Sequence, residues 1–411
     1  MEQVTINKLD NKGRGIGYSS GKIVFVKNAL PEEVVTLKNI KEHKKYITAD
    51  IQNIVKKSEL RNIPKCPYYD SCGGCNLMHV GIDYQEEYKE EKVKEILKKY
   101  ANIKENVKFI KNNKELYYRN KATLKVKNGE FGYYNDETHN FINVNNCLLV
   151  NNKINEFIKS NVIKINNGEL VIRVNYQDEL LISIKSEENI SFLNDINKYN
   201  VVGVVLNGKI IYGTSFFYDY IGDFKFKVSY NSFFQVNNYI ASNIFMILKS
   251  NLKGKKLLDL YCGVGTLGLS LKDNFESIYG IEKIENAIID AKENALINNC
   301  HNAHFYAGDT YEVLKDINVL FDTVIVDPPR SGLNEETRNL IIKLKPDKLC
   351  YVSCDPFTLA RDLNILNKYY DVEKINALDM FPNTYHVECV CILERTSKSL
   401  TNWFKGKFYL L

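Results

Sequence analysis

Two places in this 411-residue chain carry groups able to make and break bonds. The apolar run KLCYVSC ends in Cys354, directly ahead of Asp355 and Pro356, where a helical stretch begins. A thiol at a strand's carboxyl end and a helix N-terminus faces a ligand crevice, and the helix dipole lowers its pKa toward the nucleophilic thiolate. A small buried side chain is the competing explanation of any single cysteine. The later run DMFPNTYHVECVCIL supplies His386 and Glu388. A desolvated carboxylate has its pKa raised toward neutrality and serves as a general base, with His386 placed to orient it. An exposed edge-strand acid is the plainer account of Glu388. Thiol and base together suit covalent catalysis, in which a thiolate adds to the substrate and a proton leaves before the thiolate is expelled.

A second set of residues forms an adenosine-type site. In LLDLYCGVGTLGLSL an apolar strand passes through Gly263, Gly265 and Gly268 into a helix, and Asp259 ends the strand ahead of the glycines. The glycines let backbone approach a ligand closely, and Glu282, at the end of SIYGIE, is placed to accept from both ribose hydroxyls. NAD and S-adenosylmethionine share those contacts. Asp309 in AGD follows a third strand, where a carboxylate accepts from an adenine amino group, and Asp327 in VIVDPPRSGL follows a fourth. Ligands of doubly wound sheets bind at the carboxyl ends of strands, so Asp259, Glu282, Asp309 and Asp327 are expected in one crevice. The two prolines stiffen the loop in which Asp327 meets the methyl donor or the target. Any one of these acids alone is explained as a turn former.

A third set is metal-like. KCPYYDSCGGCNLMH gives Cys66, Cys72 and Cys75, and NVNNCLLV gives Cys147. Four thiolates suit zinc or an iron–sulfur cluster, and spacing does not separate the two. Cys262, Cys300, Cys350 and Cys391 lie in or beside apolar segments and read as packing, as does Cys389. With no export signal at MEQVTINKLD, disulfides are not expected and a cytoplasmic location is.

The elements that must position these groups fall into three parts. Residues 1–59 alternate short apolar runs with Gly, Asn and Pro turns, predicting a small β-barrel. Residues 60–230 hold the cysteine cluster, a helix at about 80–102 that packs on the catalytic domain, and a central antiparallel β domain with hairpins at Lys127-Asn128-Gly129 and Asn166-Asn167-Gly168. From 231 to 411, apolar strands alternate with helices such as ENAIIDAKENALINN, predicting a doubly wound parallel sheet. Hydrophobic residues at 45% and charged residues at 26% are ordinary for globular chains and argue against wholesale disorder. No apolar run is long enough to span a bilayer, so no membrane partner is expected. Net charge is +5, yet residues 1–65 hold 13 Lys and Arg against 7 Asp and Glu, so the basic surplus is N-terminal. A solvated face explains such a surplus as well as a nucleic acid does.

DLYCGVGTLGL, DPPR, SCDPFTLARD and the terminal HVE, in this order, resemble the RNA uracil-5 methyltransferases. SFFQVN, from Ser232 to Asn237, resembles that family's cofactor-contacting FxQxN element. The resemblance spans nearly the whole chain. It implies a Rossmann-like α/β class I methyltransferase domain preceded by an OB-like TRAM barrel that grips RNA through phosphates. It makes Cys354 the nucleophile and Glu388 the base, and it places Gln235, Tyr261, Thr266, Glu282, Asp309 and Asp327 around S-adenosylmethionine. Thr266 stands where the family often has Asn, which leaves its contact least secure. The C-x5-C-x2-C run with the remote Cys147 resembles the 4Fe-4S iron–sulfur site of the ribosomal-RNA branch, favouring that cluster over zinc. The implied product is 5-methyluridine in 23S ribosomal RNA, with transfer RNA as the alternative and no obligate protein partner. Thiolate addition to uracil C6 turns C5 into an enolate carbon able to take a sulfonium methyl, and a buried target base must be flipped into the crevice. An exocyclic-amine methyltransferase has no use for Cys354, because its target nitrogen carries a lone pair. A NAD-dependent oxidoreductase leaves DPPR and SCDP idle, and a non-catalytic RNA-binding protein has no need of nucleophile, base and cofactor residues together.

Overall fold

The computed structural model describes residues 3–135, 138–188, 190–192, 196–317 and 319–396. The expected first and third parts therefore extend, at residues 1–2 and 397–411, beyond the described residues.

The strands Gly15–Ser19 and Lys22–Lys27 turn on Ser20 and Gly21, both at positive φ, the conformation that matches the twist of a two-residue hairpin. They belong to a six-stranded sheet whose last strand in the chain is Tyr46–Lys56 and which buries Val4, Ile6, Val24, Val26 and Val35. Gly17 lies so close to Val4 and Thr5 that a Cβ there would sit 2.4 Å from Val4 Cγ1, so the sheet closes only with glycine at this position.

The central sheet has seven strands, in the order Phe141–Asn143, Glu130–Tyr134, Lys121–Lys127, Gly168–Val174, Leu180–Lys185, Val201–Leu206 and Lys209–Gly213. Asn128 and Gly129 make the expected hairpin, each with positive φ. Asn166-Asn167-Gly168 makes none: Ile163–Lys164 pairs with Ser191–Phe192, while Gly168–Val174 lies between Lys121–Lys127 and Leu180–Lys185. Leu180–Lys185 and Val201–Leu206 run parallel, so the sheet departs from the antiparallel expectation at one pair.

The third sheet has eight strands, in the order Ala303–Ala307, Phe275–Glu282, Gly254–Leu260, Thr323–Val326, Lys348–Ser353, Glu388–Arg395, Tyr370–Leu378 and Val107–Ile110. Chain order reverses between Gly254–Leu260 and Thr323–Val326, which creates the crevice of a doubly wound fold. The sheet is mixed rather than parallel, because Glu388–Arg395 runs antiparallel to both neighbours.

Two pieces that precede residue 231 in the chain pack on this sheet. The helix Ile82–Ala101 buries Val93, Ile96 and Leu97 in the cluster that holds Leu359, Leu363 and Leu366 of the helix Pro356–Leu366. Each such side chain contributes about 1.5–3 kcal/mol. The hairpin Phe216–Ile221 and Phe224–Ser229 shares its core with Ile288, Ala291 and Leu257. No helix among the described residues is long and apolar enough to cross a membrane.

Candidate active site

Antiparallel pairing brings the nucleophile and base candidates together. Val352 faces Val390 and Ser353 faces Cys389, so one further step of the register sets Cys354 opposite Glu388. Directly opposed side chains in such a pair lie about 4.5–5.5 Å apart at Cβ. Glu388 is buried, Cys354 half-buried, and Asp327 ends the neighbouring strand. Burial first, and Asp327 second, hold the Glu388 carboxyl well above the usual carboxylate range, with Arg330 opposing. Burial likewise raises Asp327.

The Cys354 thiol is pushed up to about 11, chiefly by burial and then by Glu388, with Arg330 the largest opposing charge. This reverses the expectation of a dipole-lowered pKa. The Asp355 carboxylate accepts from Phe357 N at 2.8 Å and Thr358 N at 3.0 Å, so the positive end of the helix is already engaged by an anion. A cation arriving beside these carboxylates would shift the thiol back down.

His386 does not hydrogen-bond Glu388 among the described residues. Its ring lies 4.3 Å from Tyr385 and 6.0 Å from Phe381, centre to centre. Burial, with Arg330 and Lys92 nearby, lowers its pKa to about 3 and keeps it neutral.

The loop from Asp379 to Val387, which carries His386 and leads into Glu388, is held from beneath by the helix Ile82–Ala101. Lys89 Nζ donates to Asp379 Oδ1 at 2.6 Å and to the Phe381 carbonyl at 3.1 Å, and Lys92 Nζ donates to the Tyr385 carbonyl at 2.7 Å. Gln85 Oε1 accepts from Asn383 N at 2.8 Å. Lys89 and Asp379 have fully buried side chains, at 0% exposure each. Removing one partner of such a pair leaves an uncompensated charge. Lys89→Met is therefore expected to cost about 3–5 kcal/mol, read as a lower urea midpoint, and Lys89→Met with Asp379→Leu to recover most of it. Unchanged stability in the single variant would deny the pair this role.

The cofactor candidates divide. Tyr261, Glu282 and Asp309 line one cavity of about 200 Å³ together with Asn334 and Thr337. Glu282 Oε2 accepts from Gly263 N at 3.3 Å, tying the acid to the glycine loop, and Tyr261 has φ +64° with its hydroxyl 3.2 Å from Thr337 Oγ1. A tyrosine held in the left-handed region stores about 1–3 kcal/mol and marks a constrained site. Asp327 lies with Cys354 and Glu388 instead, and neither Gln235 nor Thr266 is on the cavity wall. Thr266 opens the helix Thr266–Ser270, and Gln235 offers its carbonyl to Asn120 Nδ2 at 2.9 Å. Asp259 does not reach the crevice surface. It is fully buried, with its pKa pushed up to about 8 by burial, and accepts from Gly268 N at 2.9 Å.

Cys66, Cys72, Cys75 and Cys147 line a cavity of about 410 Å³ with Met78, Tyr133 and Arg119. Burial raises both the Cys66 and Cys75 thiols, and Cys147 adds to each. Among the described residues no three His, Cys, Asp or Glu side chains converge closely enough to hold a single metal ion. The four thiols border one shared space. Asn76 N and Leu77 N donate to the Asn383 carbonyl at 3.0 and 3.1 Å, and Tyr118 Oη donates to the Pro382 carbonyl at 3.2 Å, so chain neighbours of the cavity residues Cys75 and Arg119 are bonded to the loop before Glu388.

Sequence reasoning missed Lys89, Lys92, Asp379 and Arg330. A signal existed for the lysines: Gln85, Lys89, Lys92 and Ile96 recur at three- and four-residue spacing, continuing the apolar stripe of their helix with polar groups.

The chain is similar to the tRNA (uracil-54, C5)-methyltransferase of Pyrococcus abyssi, solved in complex with S-adenosyl-L-homocysteine, with TM-score 0.76, 28% identity, and 95% of this chain and 100% of that one covered. The fold is that of a class I, S-adenosylmethionine-dependent methyltransferase. It is 34% identical over 417 residues to an "Uncharacterized RNA methyltransferase" of Aquifex aeolicus, covering 95% of this chain and 98% of that one. A Bacillus cereus protein with the same description is 32% identical over 447 residues, covering 96% of each. The family tRNA (Uracil-5-)-methyltransferase matches residues 195–396 and the TRAM domain matches residues 2–51. The chain belongs to the RNA uracil-5-methyltransferase family.

Proposed function

We propose that this enzyme methylates C5 of a uridine in 23S ribosomal RNA, with Cys354 as covalent nucleophile and Glu388 as base. The observation that carries the reading is the register that pairs Ser353 with Cys389 and so leaves Cys354 and Glu388 as the next residues on facing strands, where Glu388, Asp327 and Arg330 all bear on the thiol. The Cys354 thiol gives up its proton to solvent, the thiolate adds to C6 of the flipped base, and the C5–C6 π pair passes to C5. C5 takes the methyl group from the sulfonium, leaving S-adenosylhomocysteine. Glu388 then removes the C5 proton, the C6–sulfur bond breaks, and the thiolate returns. Glu388 is suited to this step because a carboxyl with a raised pKa is the stronger base once ionised. The sulfonium also supplies the cation that a thiol raised to about 11 needs, so adduct formation should require cofactor.

Tyr261, Glu282 and Asp309 are assigned to the adenosine part of the cofactor and Asp327 to its methyl-bearing end, with Gln235 and Thr266 as further contacts. Cys66, Cys72, Cys75 and Cys147 would hold a 4Fe-4S cluster. It would brace the loop before Glu388, since methyl transfer by this route needs no redox step. The TRAM barrel would supply RNA phosphate contacts, and the enzyme would work in the cytoplasm.

Transfer RNA is the second reading, favoured by the Pyrococcus abyssi enzyme, whose substrate is transfer RNA and whose match extends into the barrel. The barrel therefore does not choose between the two RNAs. Mapping 5-methyluridine in RNA from cells with and without the gene tests the assignment. Loss of a site in 23S ribosomal RNA is expected. Loss in transfer RNA alone selects the second reading, and no loss in either overturns both.

A further inference from the structure

A groove opens between the barrel and the catalytic sheet with Cys354 on its wall, and much of its lining is unused by the chemistry above. Lys12 and Arg14 come from the barrel, Lys99 and Tyr100 from the helix Ile82–Ala101, and Arg330 and Phe357 from the loops beside Cys354. Six basic side chains face three acidic ones in this lining. Arg14 is paired with Asp10 at 2.6 Å, Lys92 donates to the Tyr385 carbonyl and Asp355 caps its helix, which narrows the count to Lys8, Lys12, Lys99 and Arg330 against Glu95. The groove thus favours a polyanion.

Two of its aromatic side chains, Tyr100 and Phe357, are exposed, while Phe25 and Tyr385 are half-buried. Tyr100 and Phe357 lie with ring centres 5.7 Å apart at 60°, with 47% and 38% of their surfaces open to water. Neither ring belongs to a hydrophobic core, and Lys99 Nζ lies 5.1 Å from the Tyr100 ring centre. Phe357 stands three residues after Cys354, on the first turn of the helix that the nucleophile precedes. Exposed aromatic faces flanked by cations are how proteins hold unpaired bases, because every base has a π-face and every linkage a phosphate.

We propose that Tyr100 and Phe357 form a stacking platform for an unpaired RNA base adjacent to the uridine in the crevice, with Lys12 and Lys99 taking its phosphates. The inference rests on the proposed methylation of RNA. It gives the flipped uridine a fixed neighbour and makes these two side chains positioning residues for the strand.

The test uses the full-length protein, S-adenosylmethionine, and the RNA segment whose 5-methyluridine is lost without the gene. The segment carries 5-fluorouridine at the target and 2-aminopurine on one side or the other. Quenching of 2-aminopurine in the trapped wild-type complex is expected at one flanking position. Phe357→Ala and Tyr100→Ala should abolish it and raise KM for unlabelled RNA about tenfold, as loss of one base–aromatic stack does, with kcat within about twofold. Phe357→Trp should restore both. Trapped complexes with unchanged quenching and KM in both alanine variants would overturn the platform while leaving methylation intact, which is also the outcome if the groove serves a peptide. Absence of any trapped complex in the wild type would remove the methylation mechanism, and the platform with it.

Discussion

Glu388→Gln is expected to convert the enzyme into a trap: ordinary uridine RNA should accumulate as a methylated covalent complex, with release slowed about 10²- to 10⁴-fold, the contribution of a positioned general base. Glutamine keeps the shape of glutamate and the pairing of Glu388 with Leu378, so the strand and its opposition to Cys354 should survive. What it loses is the ability to accept the C5 proton, without which the C6–sulfur bond cannot break. Addition and methyl transfer come earlier and need no base at this position, so the block falls after the methyl group has moved. The check is a denaturing gel with radiolabelled RNA, followed over time after mixing. Among the described residues Asp327 is the carboxylate that bears on Glu388, so rapid turnover in Glu388→Gln would pass the role to it.

Cys354→Ala should lower methyl transfer by on the order of 10⁴-fold or more, since removing a nucleophile that acts as a unit with its base removes nearly the whole covalent route. Cofactor binding should be little changed, because Tyr261, Glu282 and Asp309 line a cavity that does not include position 354. Transfer of labelled methyl to RNA gives the first quantity and equilibrium dialysis of S-adenosylmethionine the second. A variant that binds cofactor and has lost transfer has kept its fold, which separates a chemical effect from a structural one.

Much of the catalytic sheet was legible because its strands are apolar runs that end in acids or glycines, and ligands of such sheets meet strand ends. Glu282 and Asp309 could be placed that way. Asp259 could not, since the same position along a strand serves equally to fasten the glycine loop from below, and only the contact with Gly268 N tells the two apart. The thiol was misjudged on electrostatics: a helix N-terminus was visible at Pro356, but its neutralisation by Asp355 and the opposition to Glu388 are matters of geometry. His386 looks like a partner for Glu388 because it stands two residues away, yet its ring lies tilted against Tyr385.

Other features depend on contacts between segments far apart in the chain. Lys89 and Asp379 are separated by 290 residues, and nothing local marks either as one half of a buried pair. Asn166-Asn167-Gly168 carries a hairpin signature, but its flanking strands join different sheets, so tertiary pairing overrode the turn chemistry. The gathering of Cys66, Cys72, Cys75 and Cys147 around one cavity was anticipated from their residue type, while the group they would hold is a matter of affinity and spectra.

The central claim is a sulfur–carbon bond between position 354 and the target ring. Its most direct test is to mix the wild-type protein, S-adenosylmethionine and RNA bearing 5-fluorouridine at the mapped site, denature and digest the product, and sequence the crosslinked peptide by mass spectrometry. Fluorine cannot leave as a proton does, so the methylated nucleotide should remain attached to Cys354, and only when cofactor is present. Methylation of uridine by an enzyme that yields no such adduct, or an adduct carried by another residue, would contradict the account.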